Sequence, residues 1–469
     1  MSSLSKPFNK LNGLLHQPVH IAPLVVFRII FGTMMLGSTI RFAWNGWIDA
    51  LYIQPKFYFT YFGFEWVKPL GETGMYLLFA LMAVSALGIL LGSFYRLSSL
   101  LFFLSFTYVE LIDKSNYLNH YYFVSLVALL MVFVPAHRAF SVDVWRKPQL
   151  QLSHVPRWTI LIFQVQLGLV YFYAGLAKLN YDWLFRAMPL RIWLPANAHL
   201  PLIGWLFDYA WVAFAFSWFG AVYDLFIPFA LAWRKTRWAA YFFVIAFHVL
   251  TRVLFQIGMF PFIMILATLI FFSEDFHKNI LKTLRSWLMQ TGISVQQISD
   301  TRFSAGFPKN SLKMLTTSAI AVFLLFQVLF PWRFLLYPGK LFWTEQGYRF
   351  SWRVMLMEKA GTAFFYVKDP ETGFQTEINN CDYLTANQEK MMATQPDMIL
   401  QFAHFLKKEY QQKGYTNPEV RAQSYVTLNG SGSRPFIDAT VDLAKETDTF
   451  KPKTWILPFS ETPAALAAE

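Results

Sequence analysis

Charge is scarce in this chain, and so is cysteine. Only 14% of its 469 residues are Asp, Glu, Lys or Arg, where a soluble domain carries about 25%. The one cysteine is Cys381. It excludes an intrachain disulfide, a CxxC redox motif and a thiolate metal cage. Glycine-rich phosphate loops, HExxH and the G-x-S-x-G turn of serine hydrolases are missing too; Asn429-Gly-Ser-Gly-Ser433 has the wrong spacing and context. HxxxH occurs once, at His16-Gln-Pro-Val-His20, where Pro18 argues against a helix. That segment reads as a loop before the first membrane helix, and no metal site is expected.

Apolar residues are what the chain has instead. It is 55% hydrophobic and 19% aromatic, in runs of around twenty residues that suffice to cross a hydrocarbon core of roughly 30 Å. This is the pattern of a polytopic protein of the lipid bilayer. The net charge of +12 fits lysine and arginine in cytoplasmic loops rather than a nucleic-acid surface. The first apolar run is long and carries Arg28 and Arg41, so it is expected to stay as a signal anchor.

About nine membrane helices are expected, near 23–43, 73–92, 98–112, 118–135, 158–178, 209–233, 237–254, 258–273 and 314–332. The stretch 237–273 is too long for one span and is divided at Gln256-Ile-Gly-Met-Phe-Pro261. With this count Lys6, Lys10, Arg96, Arg138, Arg146, Lys147, Arg157, Arg234, Arg237, Lys278, Lys282 and Arg285 share one side, the cytoplasmic one. Loops 44–72 and 179–208 are closer to balanced and fall on the other. The expected fold is therefore an α-helical polytopic membrane bundle over 1–335, N-terminus cytoplasmic, with an extracytoplasmic β-rich domain over 340–469. In that domain Phe364–Val367 and Ser424–Leu428 read as strands, Asp369–Gly373 and Asn429–Gly432 as turns, and 384–413 as helical.

This orientation gathers a few polar residues at one face. Lys178 ends the fifth helix there and precedes Leu179-Asn-Tyr-Asp-Trp183. Withdrawn from water at a membrane rim, it is a candidate base toward a lipid-soluble substrate. His120 starts the fourth helix, His248 lies in the middle to outer half of the seventh, and Tyr348 follows the ninth. Each has a plainer role as well. Lys178 can snorkel to headgroups, His120 can join an interfacial belt with Tyr117, Tyr121 and Tyr122, His248 can make an interhelical hydrogen bond, and Tyr348 can be an ordinary interface tyrosine. Arg28, Glu110, Asp224 and Arg252 are expected to pair inside the bundle.

Several segments, in order and spanning nearly the whole chain, resemble the vitamin K-dependent gamma-carboxylase family in its shorter bacterial form. They are Val26–Gly32, Leu111-Ile-Asp-Lys-Ser-Asn-Tyr-Leu-Asn-His120, Val170–Trp183, Phe247–Phe260, Gly347-Tyr-Arg-Phe-Ser-Trp352 and Pro435–Asp442. Lys178-Leu-x-x-Asp-Trp183 and Phe255-Gln-Ile-Gly-Met-Phe260 are the most specific. The resemblance implies an enzyme of the carbon–carbon lyase class in a bacterial inner membrane. Its co-substrates would be reduced vitamin K (a membrane quinol), O2 and CO2. Oxygenation of the hydroquinone to its epoxide would generate an alkoxide base that takes a γ-hydrogen from a glutamate of a protein or peptide, and the carbanion would add CO2. By the same resemblance Lys178 is the base toward the hydroquinone and His120 acts near the oxygenated intermediate with Asn119 beside it. His248, Tyr348, Gln256 and Trp183 belong to the quinol and glutamate sites. The lone Cys381 excludes the disulfide of the animal enzymes, and Asp438-Ala439-Thr440 stands where the family often has Asp-Pro. Two alternatives remain at this stage: quinol epoxidation without carboxylation, and a non-catalytic transporter or lipid-binding protein. A transporter would string polar residues through the bilayer and repeat its halves, a pattern not visible here.

Overall fold

The computed structural model describes residues 5–255, 257–292, 298 and 310–460. Its bundle consists of α1 (Ala22–Trp44), α2 (Gly71–Leu91), α3 (Tyr95–Ile112), α4 (Asn119–Phe133), α5 (Trp158–Lys178), α6 (Ala210–Ala232), α7 (Arg237–Leu254), α8 (Phe260–Ala267), α9 (Glu274–Gln290) and α10 (Asn310–Leu329). Among the described residues, seven helical segments are long and apolar enough to cross a membrane, the last being Ser311–Leu336. The protein is an integral membrane protein.

Two of the expected nine spans are short. α4 has 15 residues, about 22 Å of helix, less than a hydrocarbon core. The span expected at 258–273 is the eight-residue α8 and the 3-10 turn Thr268–Phe271. α8 begins at the helix-starting Phe260-Pro261. The chain then bends by 115° into α9, whose first turn is capped by Ser273, accepting from the Phe276 N–H. The first residues of the two short helices meet at one end of the bundle, His120 and Phe260 with ring centres 5.7 Å apart, beside an open space that both line.

Small residues set the closest helix crossings. A Cβ on Gly32 would stand 2.5 Å from the Leu90 nitrogen, which brings α1 against α2. A Cβ on Gly175 would stand 2.6 Å from the Leu225 nitrogen, which brings α5 against α6. The buried Arg28 donates to the carbonyls of Ala136, Ala139 and Phe140, so its partners inside the protein are backbone groups. Arg252 is exposed. The His16–His20 segment, expected as loop, contains a short strand, Pro18–His20, paired with His154–Pro156.

The C-terminal region carries an antiparallel four-stranded sheet. Its strands are β1 (Lys359–Lys368), β2 (Gln375–Ile378), β3 (Glu419–Leu428) and β4 (Arg434–Pro435), in spatial order β2-β1-β3-β4. Val420, Ala422, Ser424, Val426 and Leu428 alternate inward along β3, as the pleat requires. The helical stretch expected at 384–413 is two helices, α11 (Ala386–Met392) and α12 (Pro396–Gln412), divided just before Pro396, which cannot donate to a continuing helix. Asn429 and Gly430, at φ 52° and 69°, turn the chain from β3 to β4.

This region docks on three loops at one end of the bundle. Lys56 donates to the Asp382 carbonyl at 2.9 Å and Gln401 to the Thr60 carbonyl at 2.9 Å. Lys114 meets Asp397 at 2.8 Å, and Asp182 meets Lys340 at 3.1 Å. The domain thus covers the end where the short helices leave space.

Gly175→Leu should push α5 from α6 and lower stability by about 1–3 kcal/mol, the range for overpacking. A fall in melting temperature in detergent micelles checks it; an unchanged value would mean the two helices do not touch there.

Candidate active site

Two adjoining cavities fill the space between bundle and domain. The first, of about 340 Å³, is bounded by α5, α6, α7 and α8. Val170, Phe216, Phe219, Phe247, Leu254 and Met264 make most of its wall apolar, and Tyr171, Lys178, Asp224, His248 and Thr251 bring polar atoms into it. The α5–α6 approach at Gly175 decides the geometry at its end. One turn on, Lys178 Nζ lies 2.6 Å from Asp224 Oδ2, with both side chains buried (7% and 6% exposed). Nζ also donates to the Ala174 carbonyl at 3.3 Å and lies 5.4 Å from the Trp183 ring centre. Trp183 is fixed by its indole N–H on the Ser217 carbonyl at 2.8 Å, and Asn180 caps its short helix. His248 Nε2 is 2.9 Å from the Tyr171 hydroxyl. Among the described residues its buried Nδ1 has no partner.

The second cavity, of about 530 Å³, is polar. Asn119 and His120 at the start of α4 line it, with Tyr348 opposite. Arg41, Lys114, Arg349, Arg353 and Lys359 also line it, against one lining carboxylate, Glu345. Lys359 pairs with Glu345 at 2.8 Å. Asp397 is shared by Lys114 at 2.8 Å and Arg349 at 2.7 Å. Burial alone would raise the Asp397 carboxyl, but Arg349 and Lys114 outweigh it and hold it well below the usual carboxylate range. Arg353 is buried at 8% exposure with its Nε unpartnered, and no carboxylate reaches it among the described residues. Its guanidinium lies on the Phe334 ring at 4.3 Å. Burial pulls it down to about 10, so it stays a cation at neutral pH.

A strained strap holds this wall. Glu345, Phe350, Trp352 and Met355 are all left-handed, at φ 55°, 59°, 60° and 52°. Each such non-glycine residue costs about 1–3 kcal/mol and persists only where its surroundings dictate it. Tyr117 and Asn119 dictate it here. The Tyr117 hydroxyl accepts from the Phe350 N–H at 2.7 Å and donates to Asn119 Oδ1 at 3.0 Å. Asn119 Nδ2 donates to the Arg353 carbonyl at 2.9 Å, which the Tyr348 hydroxyl also reaches at 3.3 Å.

The cavities share Ile257, Phe260, Val354 and Met355. Phe260 stands between the histidines, its ring 5.7 Å from that of His120 and 5.8 Å from that of His248. Of the residues singled out from sequence, Lys178, His248 and Trp183 thus meet in the apolar cavity. Asn119, His120 and Tyr348 meet in the polar one. Gln256 lies outside the described residues. Asp224, expected only as a bundle partner, is the partner of Lys178 itself. Lys114, Arg349, Arg353 and Lys359 went unremarked in sequence, although Lys114 and Arg349 lie inside the motifs quoted there and Arg353 directly follows one.

Residues 16–276 match the family model of the HTTM domain, and residues 312–462 match that of the vitamin K-dependent gamma-carboxylase lumenal domain. The chain belongs to the vitamin K-dependent gamma-carboxylase family. No solved structure matches it. The two matches meet at the cavities: the first supplies Lys178, His120 and His248, and the second supplies the strap and its cations.

Asp397→Asn leaves Lys114 and Arg349 facing each other and should cost about 3–5 kcal/mol at neutral pH, the range for a broken buried pair. Because the folded-state carboxyl is depressed, its contribution is present above the usual carboxylate value of about 3.9 and is lost as pH falls below it. Unfolding of wild type and variant should therefore differ clearly at pH 7 and converge in acid; curves that stay parallel would refute it.

Proposed function

We propose that this family member is a quinol-dependent carboxylase of the membrane interface, acting on glutamate side chains of a protein or peptide at the extracytoplasmic face. One juxtaposition carries the proposal. An apolar cavity ending on a buried lysine opens beside a cationic cavity that holds a histidine. The first suits a membrane quinol, with its ring and apolar tail; the second suits a carboxylate. Reduced vitamin K is the co-substrate. Its oxidation by O2 to epoxide and water supplies the strong base, while replacement of a glutamate γ-hydrogen by CO2 releases one proton.

The residues then have distinct tasks. Lys178, at the polar end of the apolar cavity, takes the proton from a quinol hydroxyl. Asp224 holds the Lys178 amine in place and balances its charge when protonated. His248 and Tyr171 offer a hydrogen-bonding pair to the quinol's other end. His120 lies across the Phe260 wall, where a carbon acid bound in the second cavity meets the chemistry of the first. Arg353, a cation with no carboxylate of its own, binds the carboxylate of the incoming glutamate. The covering domain keeps water out, which matters because no protein side chain is basic enough for that carbon acid and water would quench a base that is. The cation excess of the second cavity favours carboxylation over epoxidation alone, which would need no such site.

Purified protein supplied with reduced vitamin K, O2, labelled bicarbonate and a glutamate peptide should form epoxide and labelled peptide together. Lys178→Ala should abolish both in a folded protein, and Asp224→Asn should lower both. Epoxide without label would reduce the function to epoxidation; neither product would sink the assignment. Arg353→Met should raise KM for the peptide about 10-fold or more, as expected for a lost charged hydrogen bond of about 1.5–3 kcal/mol, and leave the quinol KM unchanged.

A further inference from the structure

Glu110 is a half-buried carboxyl group with no partner among the described residues. It sits on α3, two residues before the helix ends, and makes no hydrogen bond or ion pair among the described residues. An ionisable side chain kept within a membrane span at such a cost points to function by default. Glu110 lines a small cavity of about 30 Å³, space for about one or two waters. Ser38 and Thr39 from α1, Tyr52, and Tyr121 from α4 line it too, while α2 contributes only Phe79 and Met82. Arg41 from α1 lines the polar cavity together with Tyr121.

The small cavity is joined to the polar one. Ser38, Phe42 and Tyr121 line both. Tyr121 is also the neighbour of His120, their ring centres 4.6 Å apart. Tyr121 therefore borders both the histidine's cavity and the small cavity that Glu110 lines. Each carboxylation liberates one proton within a compartment closed to bulk water, so that proton needs a way out that does not open the compartment.

We propose that Glu110 is the proton-exchange residue of the polar cavity, receiving by way of Tyr121 the proton released in each turnover. The step rests on the carboxylase function above. A proton from the cavity binds Tyr121 Oη as the tyrosine's own proton passes to a water in the small cavity and that water gives a proton to the Glu110 carboxylate. One O–H bond forms for each that breaks, and no electrons move.

Glu110→Gln keeps the shape and removes the exchange. With reduced vitamin K, O2, bicarbonate and a glutamate peptide, Glu110→Gln should keep a first turnover near the wild-type rate and lose at least 10-fold in the steady state. Glu110→Asp should recover part of the loss, and Tyr121→Phe should reproduce it. A steady-state rate equal to wild type in Glu110→Gln would overturn the proposal, and so would an equal loss in the first turnover. A second readout needs no turnover. Infrared difference spectra across a pH jump should show a carboxyl C=O band in wild type that is absent in Glu110→Gln and altered in Tyr121→Phe; no such band would overturn it. If wild type proves inactive with reduced vitamin K, the carboxylase function fails while this spectrum still decides whether Glu110 exchanges protons.

Discussion

The contact between Lys178 and Asp224 is the interaction around which the site is arranged. Both groups are removed from water among apolar side chains, where an ion loses its hydration and a lost partner leaves a penalty of about 3–5 kcal/mol. The pair is possible because α5 and α6 approach within the width of a glycine at Gly175. A side chain there would hold the helices apart and strand both charges. An isolated lysine at a membrane rim would reach for headgroups. Tied to Asp224 and lying near the Trp183 ring, Lys178 instead points into the cavity. Its position is a consequence of helix packing.

The second cavity rests on a different device. Its wall is a strap with left-handed residues at Phe350, Trp352 and Met355, a conformation that local propensity opposes. The hydrogen bonds from Tyr117 and Asn119 to this strap come from the loop before α4 and from its first residue. The Lys114–Asp397–Arg349 cluster ties the same loop to α12. The domain and bundle are therefore locked together at the residues that line the cavity. Asn119, which the resemblance places beside the chemistry, is tied to the backbone of the strap. Part of its importance is that it shapes the wall.

Composition and hydropathy made the membrane bundle legible, because twenty apolar residues in a row have few other uses. They overstated α4 and α8, since hydropathy counts apolar residues and does not register that Pro261 starts a helix late or that Val134 and Pro135 stop one early. The β-strands were legible from alternation, as along Ser424–Leu428, and the break before Pro396 was missed because helical periodicity continues across it. At the site, Lys178, His120, His248 and Tyr348 stood out because a polar residue in apolar surroundings is conspicuous. Their division between two cavities did not. It depends on where Phe260 falls between two helices that are distant in sequence, and no local pattern encodes that. Asp224 and Glu110 looked alike on the page, each an acid in an apolar run. Only the tertiary structure gives one a lysine and leaves the other without a partner among the described residues.

The separation by Phe260 has a chemical consequence. Under the proposed function, a base strong enough to take a hydrogen from carbon must be made where its precursor binds and used where the carbon acid binds, without meeting water or an acidic side chain on the way. Placing both ligands in one open chamber would expose that base to the protons of the cationic wall. Two chambers divided by an aromatic ring and by Val354 and Met355 of the strap keep the lysines and arginines of the second away from the first, while the rings of His120 and His248 still lie within 6 Å of the ring between them. The partition and the proximity come from the same few residues, and those residues come from both halves of the chain. Neither half could build the site alone, which is why a helical bundle and a β-rich domain share buried contacts and are held in a single, strained register.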